Sequence, residues 1–234
     1  MKSFGEQVLD FCFSLPKTLK TPKEVGVIFP FENEETRRVM KAFYEKYYND
    51  SNQRYFLFGI NPGRFGAGVT GVPFTCPKRL VSECGIENDF DKKPELSSEF
   101  VYLFKNRFGG IESFCKYFFI TSMSPLGFIK AGKNYNYYDD KKLEKMVTPF
   151  IVKSIKEQLK FGGRTDAAIC IGMGQNAKFF KKLNEKHQFF EKIIPLPHPR
   201  WVMQYRRKTM DIHVKSYVDT LLGLAEKLEA GDSI

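Results

Sequence analysis

The chain has 234 residues, 42% hydrophobic, 27% charged and 15% aromatic, a globular balance that suits a single domain over residues 1–234. Its 24 Phe and 11 Tyr exclude a disordered tail, and its longest apolar stretches, such as residues 167–173, are far shorter than the roughly 20 residues a bilayer span needs. The net charge of +10 favours a polyanionic partner, nucleic acid first.

Glu6 and Asp10 interrupt the first apolar stretch, which a secretory signal does not tolerate, so an intracellular protein is expected. Farther on, Val39, Met40, Phe43, Tyr44 and Tyr47 share one helical face. Residues 55–59 are a continuous apolar run that ends in Asn61-Pro62-Gly63, a buried strand closed by a turn. A second such run, 117–121, is closed by Ser124-Pro125. Residues 134–138 read as a polar aromatic loop that either touches a ligand or covers the core. Leu143, Met146, Val147, Phe150, Ile151, Ile155 and Leu159 recur at helical spacing, with a kink expected at Pro149. Residues 167–172 and 193–196 are the third and fourth strands, and a last helix carries Val214, Tyr217, Val218, Leu221, Leu222, Ala225 and Leu228 on one side. Four buried strands separated by helices predict an α/β fold, a parallel sheet with helices on both faces. Ligands of such sheets bind beyond the carboxyl ends of the strands. The segments starting at Asn61, Ser122 and His198 are therefore expected to meet on one rim.

Two segments carry chemistry. Residues 59–74 hold five Gly and two Pro in sixteen positions, a loop whose backbone can approach a ligand closely. The residues alone allow that reading or a plain glycine-rich connection, with Asn61 capping its own turn. The loop is neither a Walker A motif nor a dinucleotide fingerprint. Residues 197–208 place His198 between two prolines and follow it with Arg200, Trp201, Tyr205, Arg206, Arg207 and Lys208. Cations interleaved with aromatics suit a phosphate backbone and unstacked bases, or a solvated basic loop with Trp201 packed beneath it. His187 and His213 read as surface or packing residues. The five cysteines are scattered without a CxxC pair, as expected of reduced thiols rather than a metal centre.

The order of these segments resembles the uracil-DNA glycosylase superfamily, nearest to its single-strand-selective monofunctional members. The resemblance rests on Gly59-x-Asn61-Pro62-Gly63-x-Phe65-Gly66 followed by Thr70-Gly71-Val72-Pro73-Phe74, and on His198-Pro199 after an apolar strand. Phe118-Phe119-Ile120 leading to Ser124-Pro125-Leu126, then Gly132-Lys133-Asn134, fits the middle of the family pattern. The similarity spans residues 27–220. It implies a three-layer α/β/α sandwich with a central four-stranded parallel sheet. It also implies a monomeric, cofactor-free and metal-free enzyme that hydrolyses the N-glycosidic bond of a damaged base in single- or double-stranded DNA. Asn61 would place the attacking water and His198 would stabilise the leaving base. Ile60, Gly63, Phe65, Ala67, Phe74 and Ser122 would contact the flipped base. Arg200, Trp201, Tyr205, Arg206, Arg207, Lys208, Lys133 and Asn134 would hold the DNA.

Two positions depart from the family pattern. Ser122 stands where the family has an Asn that reads the uracil edge, and a hydroxyl cannot make the same paired contact. Looser specificity is therefore expected, extending to modified uracils, xanthine or hypoxanthine. Pro199-Arg200-Trp201 replaces the usual Pro-Ser-Pro, so the segment that probes the duplex is built differently. A catalytically weak DNA-binding module of the same fold, and a nucleotide-handling enzyme on an unrelated parallel sheet, are the competing readings.

Overall fold

The computed structural model describes residues 2–231. The first helix, α1 (Phe4–Ser14), is closed at its N-terminus by reciprocal hydrogen bonds between Ser3 and Glu6. Strand β1 (Val25–Ile28) and helix α2 (Glu34–Tyr47) follow, the helix capped by the Asn33 side chain. Strand β2 (Arg54–Gly59) is buried along its whole length. The glycine-rich loop then contains one short turn of helix, α3 (Ala67–Thr70), and leads to α4 (Pro77–Ser82), α5 (Leu96–Phe108) and α6 (Gly110–Tyr117). Strand β3 (Phe118–Ser122) is followed by the hairpin β4 (Gly127–Lys130) and β5 (Lys133–Tyr135). The chain closes with α7 (Lys141–Leu159), β6 (Gly163–Ile171), α8 (Gln175–His187), β7 (Lys192–Leu196), α9 (Pro199–Tyr205), a short 3₁₀ turn and α10 (Met210–Gly231).

The four long strands form the expected parallel sheet in the order β3-β2-β6-β7. Helices flank it in an α/β/α arrangement: α1 packs on α2 and α7, α5 packs on α6, α9 and α10, and α8 lies against β6 and β7. Because both faces are covered, β2 reads as an unbroken apolar run rather than an alternation. Rings fill the layer beside it: Phe119 packs edge-on against both Phe4 and Phe56 with centroids 5.1 Å apart.

Three differences from the sequence reading are informative. A second, antiparallel sheet, β1-β4-β5, joins residues 25–28 to residues 127–135. Its strands have only three or four residues, too short to impose a visible period. The hairpin turns at Ala131 and Gly132, both left-handed (φ 48° and 71°), as a two-residue turn between twisted strands requires. Asn134 and Tyr135, read as part of a loop over residues 134–138, therefore belong to the edge strand of that sheet. Helix α7 continues on both sides of Pro149, so the proline does not end it. Finally, residues 199–205 form a helix, not a basic loop. Pro199 suits the helix start, since it occupies the first turn, where no amide hydrogen is required.

Candidate active site

All four parallel strands end at one cavity of about 680 Å³, within the size range of small-ligand sites. Its lining includes Ile60, Asn61 and Gly63 after β2, Ser122 at the end of β3, residues 172–176 after β6, and His198 after β7. Ala67, Phe74, Asn134, Arg200, Trp201 and Tyr205 complete the predicted part of the wall. The competing nucleotide-handling reading also places a ligand at this end, so the chemistry of the wall decides between them.

The Phe74 ring is placed by strain and by a glycine. Its φ is +51°, a region that costs a non-glycine residue about 1–3 kcal/mol and persists only where neighbours enforce it. The enforcers flank it in sequence. The Thr70 hydroxyl donates to the Thr75 carbonyl at 2.7 Å, and the Thr75 hydroxyl lies 3.1 Å from that of Tyr102, all buried. The ring then lies over Gly59, where a Cβ would come 2.9 Å from Cε2. Gly59→Ala is accordingly expected to displace the ring. Its turnover should drop by about tenfold or more with little change in DNA affinity, as single-turnover kinetics beside a binding titration will show.

His198 caps α9. Its Nδ1 accepts the Arg200 backbone N–H at 3.2 Å, so the proton of the neutral ring resides on Nε2. Half-buried at the cavity wall, with its ring centroid 6.1 Å from that of Phe74, it has its pKa pushed down to about 4 by desolvation and, secondarily, by Arg200. The carbonyl of the preceding residue, Pro197, accepts the buried Tyr217 hydroxyl at 2.6 Å, which ties this segment to α10.

Asn61 is held across segments as well as within its own turn. Its Oδ1 accepts the Tyr137 N–H at 3.1 Å and its Nδ2 donates to the Tyr135 carbonyl at 3.2 Å. The Nδ2 also lies 3.4 Å from the Pro62 carbonyl, so the side chain clamps the exit of β5 while still touching its own turn. One lone pair of Oδ1 is left for a water, and the amide is otherwise committed. The Ser122 hydroxyl, by contrast, has no hydrogen-bond partner among the described residues. It sits at the cavity end of β3, in register with Gly59.

Several predicted residues fall elsewhere. Phe65 is 40% exposed and lies outside the cavity, with the Arg64 guanidinium 4.6 Å above its ring. The loop turns outward before α3, which sets Phe65 on the surface while Ala67 faces in. Lys133, Arg206, Arg207 and Lys208 are exposed but do not line the cavity. Arg206 stacks on Trp201 at 4.8 Å, and the other contact of that indole is the edge of His213. Trp201 is thus neither buried beneath a loop nor free, but a braced and partly exposed ring. Asn136 and Tyr138, from the polar aromatic stretch, also line the cavity, while sequence reasoning missed Glu95, Ser97 and Gln204. Glu95 follows Asp91-Lys92-Lys93-Pro94, a run that reads as solvated surface, and only the chain path brings it back to the cavity. No helix among the described residues is long and apolar enough to cross a membrane, and no cluster of three His, Cys, Asp or Glu among them forms a metal site.

The uracil DNA glycosylase superfamily matches residues 45–222. The crystal structure of wild-type Pedobacter heparinus SMUG2 is similar over 97% of this chain and 100% of that one, with 44% sequence identity and a TM-score of 0.93. No curated protein matches the sequence.

Proposed function

We propose, from the premise that this chain belongs to the uracil DNA glycosylase superfamily, that it is a monofunctional glycosylase that flips a damaged base out of DNA and hydrolyses its N-glycosidic bond. The carrying observation is the meeting of Phe74, Ser122 and a neutral His198 in one cavity at the ends of the parallel strands. A base inside a duplex is out of reach of such a wall, so it must leave the stack or come from a single strand.

In this reading Phe74 stacks on the extruded ring. As the bond to C1′ breaks, the sugar becomes cationic and the base leaves as an anion. The Nε2–H of His198 donates to the carbonyl where that negative charge collects. Because His198 is neutral at working pH, it stabilises the anion without handing over a proton. The unpartnered Ser122 hydroxyl serves as donor or acceptor toward the base edge, and a rotatable hydroxyl accepts more than one pattern. Uracil and modified uracils are thus expected substrates, with xanthine or hypoxanthine tolerated. Arg200 and Tyr205 line the mouth of the cavity, where Tyr205 is 67% exposed. They and the braced Trp201 meet the DNA from α9, an inserted ring helping to offset unstacking.

The test is direct. Oligonucleotides carrying uracil, 5-hydroxymethyluracil, xanthine or hypoxanthine, single- and double-stranded, are incubated with the protein and then cleaved with alkali at abasic sites. Scission at the damaged position is the expected result. Intact strands on every substrate, with salt-sensitive binding retained, would instead describe a binding module.

A further inference from the structure

Among the residues that line the cavity, Glu95 is the one carboxylate, and no step above uses it. It immediately precedes α5 and faces the loop that carries Asn61. Its Oε2 is buried with no hydrogen-bond partner, the only such side-chain atom among the described residues. A glycine makes room for it: a Cβ on Gly66 would collide with the carboxyl. Glu95 and Gly63 both line the cavity. A buried, unpaired acid is costly to any fold. In a cavity that admits a polyanion it also repels the ligand. Meanwhile the water has at most one lone pair of Asn61 to hold it, because that amide is tied to the backbone of residues 135 and 137, and no group named above takes its proton.

We infer that Glu95 is the general base of the reaction, holding and deprotonating the water that attacks C1′. The inference rests on the glycosylase reading. The water oxygen bonds to C1′ as its proton passes to Glu95. The C1′–N bond breaks, and its electron pair leaves with the base, whose charge faces His198. The freed base then takes a proton from solvent, and Glu95 returns its own to solvent. Burial raises the Glu95 pKa to about 7, and Arg200 on α9 draws it part of the way back. Other charges nearby are turned away: Arg64 and Lys93 both lie against the Phe65 ring. A base with a pKa near the working pH combines an adequate ionised fraction with adequate basicity.

The experiment is single-turnover cleavage of a uracil-containing single strand by the full chain, from about pH 5 to about pH 9, for the wild type, Glu95→Gln and Glu95→Asp. A binding titration on the same strand with an undamaged base runs beside it. The wild-type rate is expected to fall below about pH 7. Glu95→Gln should be slower by about 10²-fold at high pH, lose that acid limb and bind DNA as tightly or more tightly. Glu95→Asp keeps the charge and should retain the limb at a smaller loss. A Glu95→Gln rate within about threefold of wild type, with the limb intact, overturns the inference and leaves the glycosylase reading standing. An inactive wild type on every damaged base removes both. DNA binding no weaker than wild type and a cooperative melting curve no lower than wild type report that each variant is folded.

Discussion

His198→Ala is expected to slow base release by about 10²–10³-fold, the usual loss when one donor preorganised for a developing anion is removed. DNA affinity should stay close to wild type, because the Nε2–H matters most when the base carries its full charge. His198→Asn supplies the control. An Asn oxygen can still accept the Arg200 N–H and keep the cap of α9, while its shorter amide no longer reaches where the imidazole did. A large rate loss in both variants, with melting temperature preserved in the Asn form, isolates the lost donor from the lost cap. The same histidine leaves a mark on stability. Its pKa is near 6.5 when unfolded and about 4 when folded, so the unfolded chain takes up the proton first. The stability associated with the neutral ring is complete above about pH 6.5 and is lost as pH falls toward 4. Thermal melts of wild type and His198→Asn should therefore coincide near pH 7 and separate toward about pH 4.5, the wild type falling further.

Asp50→Ala is expected to destabilise the fold by about 3 kcal/mol or more, a drop of roughly 6–12 °C in melting temperature for a chain of this size. Its partner Arg54, the first residue of β2, is completely buried. The guanidinium meets both oxygens of Asp50 at 2.7 and 2.8 Å, donates to the Cys115 carbonyl at 2.7 Å, and lies 4.6 Å and 4.8 Å from the ring centroids of Phe4 and Tyr48. Removing the carboxylate strands a cation that has no route to water. Arg54→Met should cost less than Asp50→Ala, since Asp50 is 36% exposed and can hydrate when left alone. The opposite ranking in denaturant titrations would show that the arginine acts mainly through its carbonyl bonds and ring packing. The Asp50 pKa is depressed by Arg54 and by the Asn52 N–H against an opposing desolvation, so its contribution is present at neutral pH and lost as pH falls through that lowered value.

The parallel sheet was legible because its strands are buried on both faces. Four uninterrupted apolar runs, each closed by Pro, Gly or Asn, leave little choice of architecture. The meeting of Asn61, Ser122 and His198 followed from that topology. What stayed hidden is of two kinds. The β1-β4-β5 sheet consists of very short strands whose pairing depends on partners about a hundred positions apart, such as Val25 with Lys130. Local periodicity cannot register such a contact. The cross-segment bonds of Asn61 and the place of Glu95 were hidden for a related reason. Both depend on hydrogen bonds made, or left unmade, across distant segments. An asparagine in a Pro-Gly turn gives no sign of the Tyr135 and Tyr137 backbone set against it. A glutamate after two lysines looks solvated until the chain returns it to a cavity. Phe65 shows the converse: a motif letter fixes a position in the string, while the loop path decides which way the ring points.

The left-handed backbone at Phe74 bears on how the protein searches DNA. An enzyme inspecting long stretches of intact sequence tests many bases for each one it should excise. A platform that had to be ordered by every visitor would slow every rejection. Here the backbone beside the ring is already held by the Thr70–Thr75 and Thr75–Tyr102 contacts, so in the proposed function a visiting base would find a finished surface. Discrimination then falls to dwell time. In the proposed function, normal and damaged bases would reach the same ring with similar ease, and the wrong ones would depart before the slower bond-breaking step.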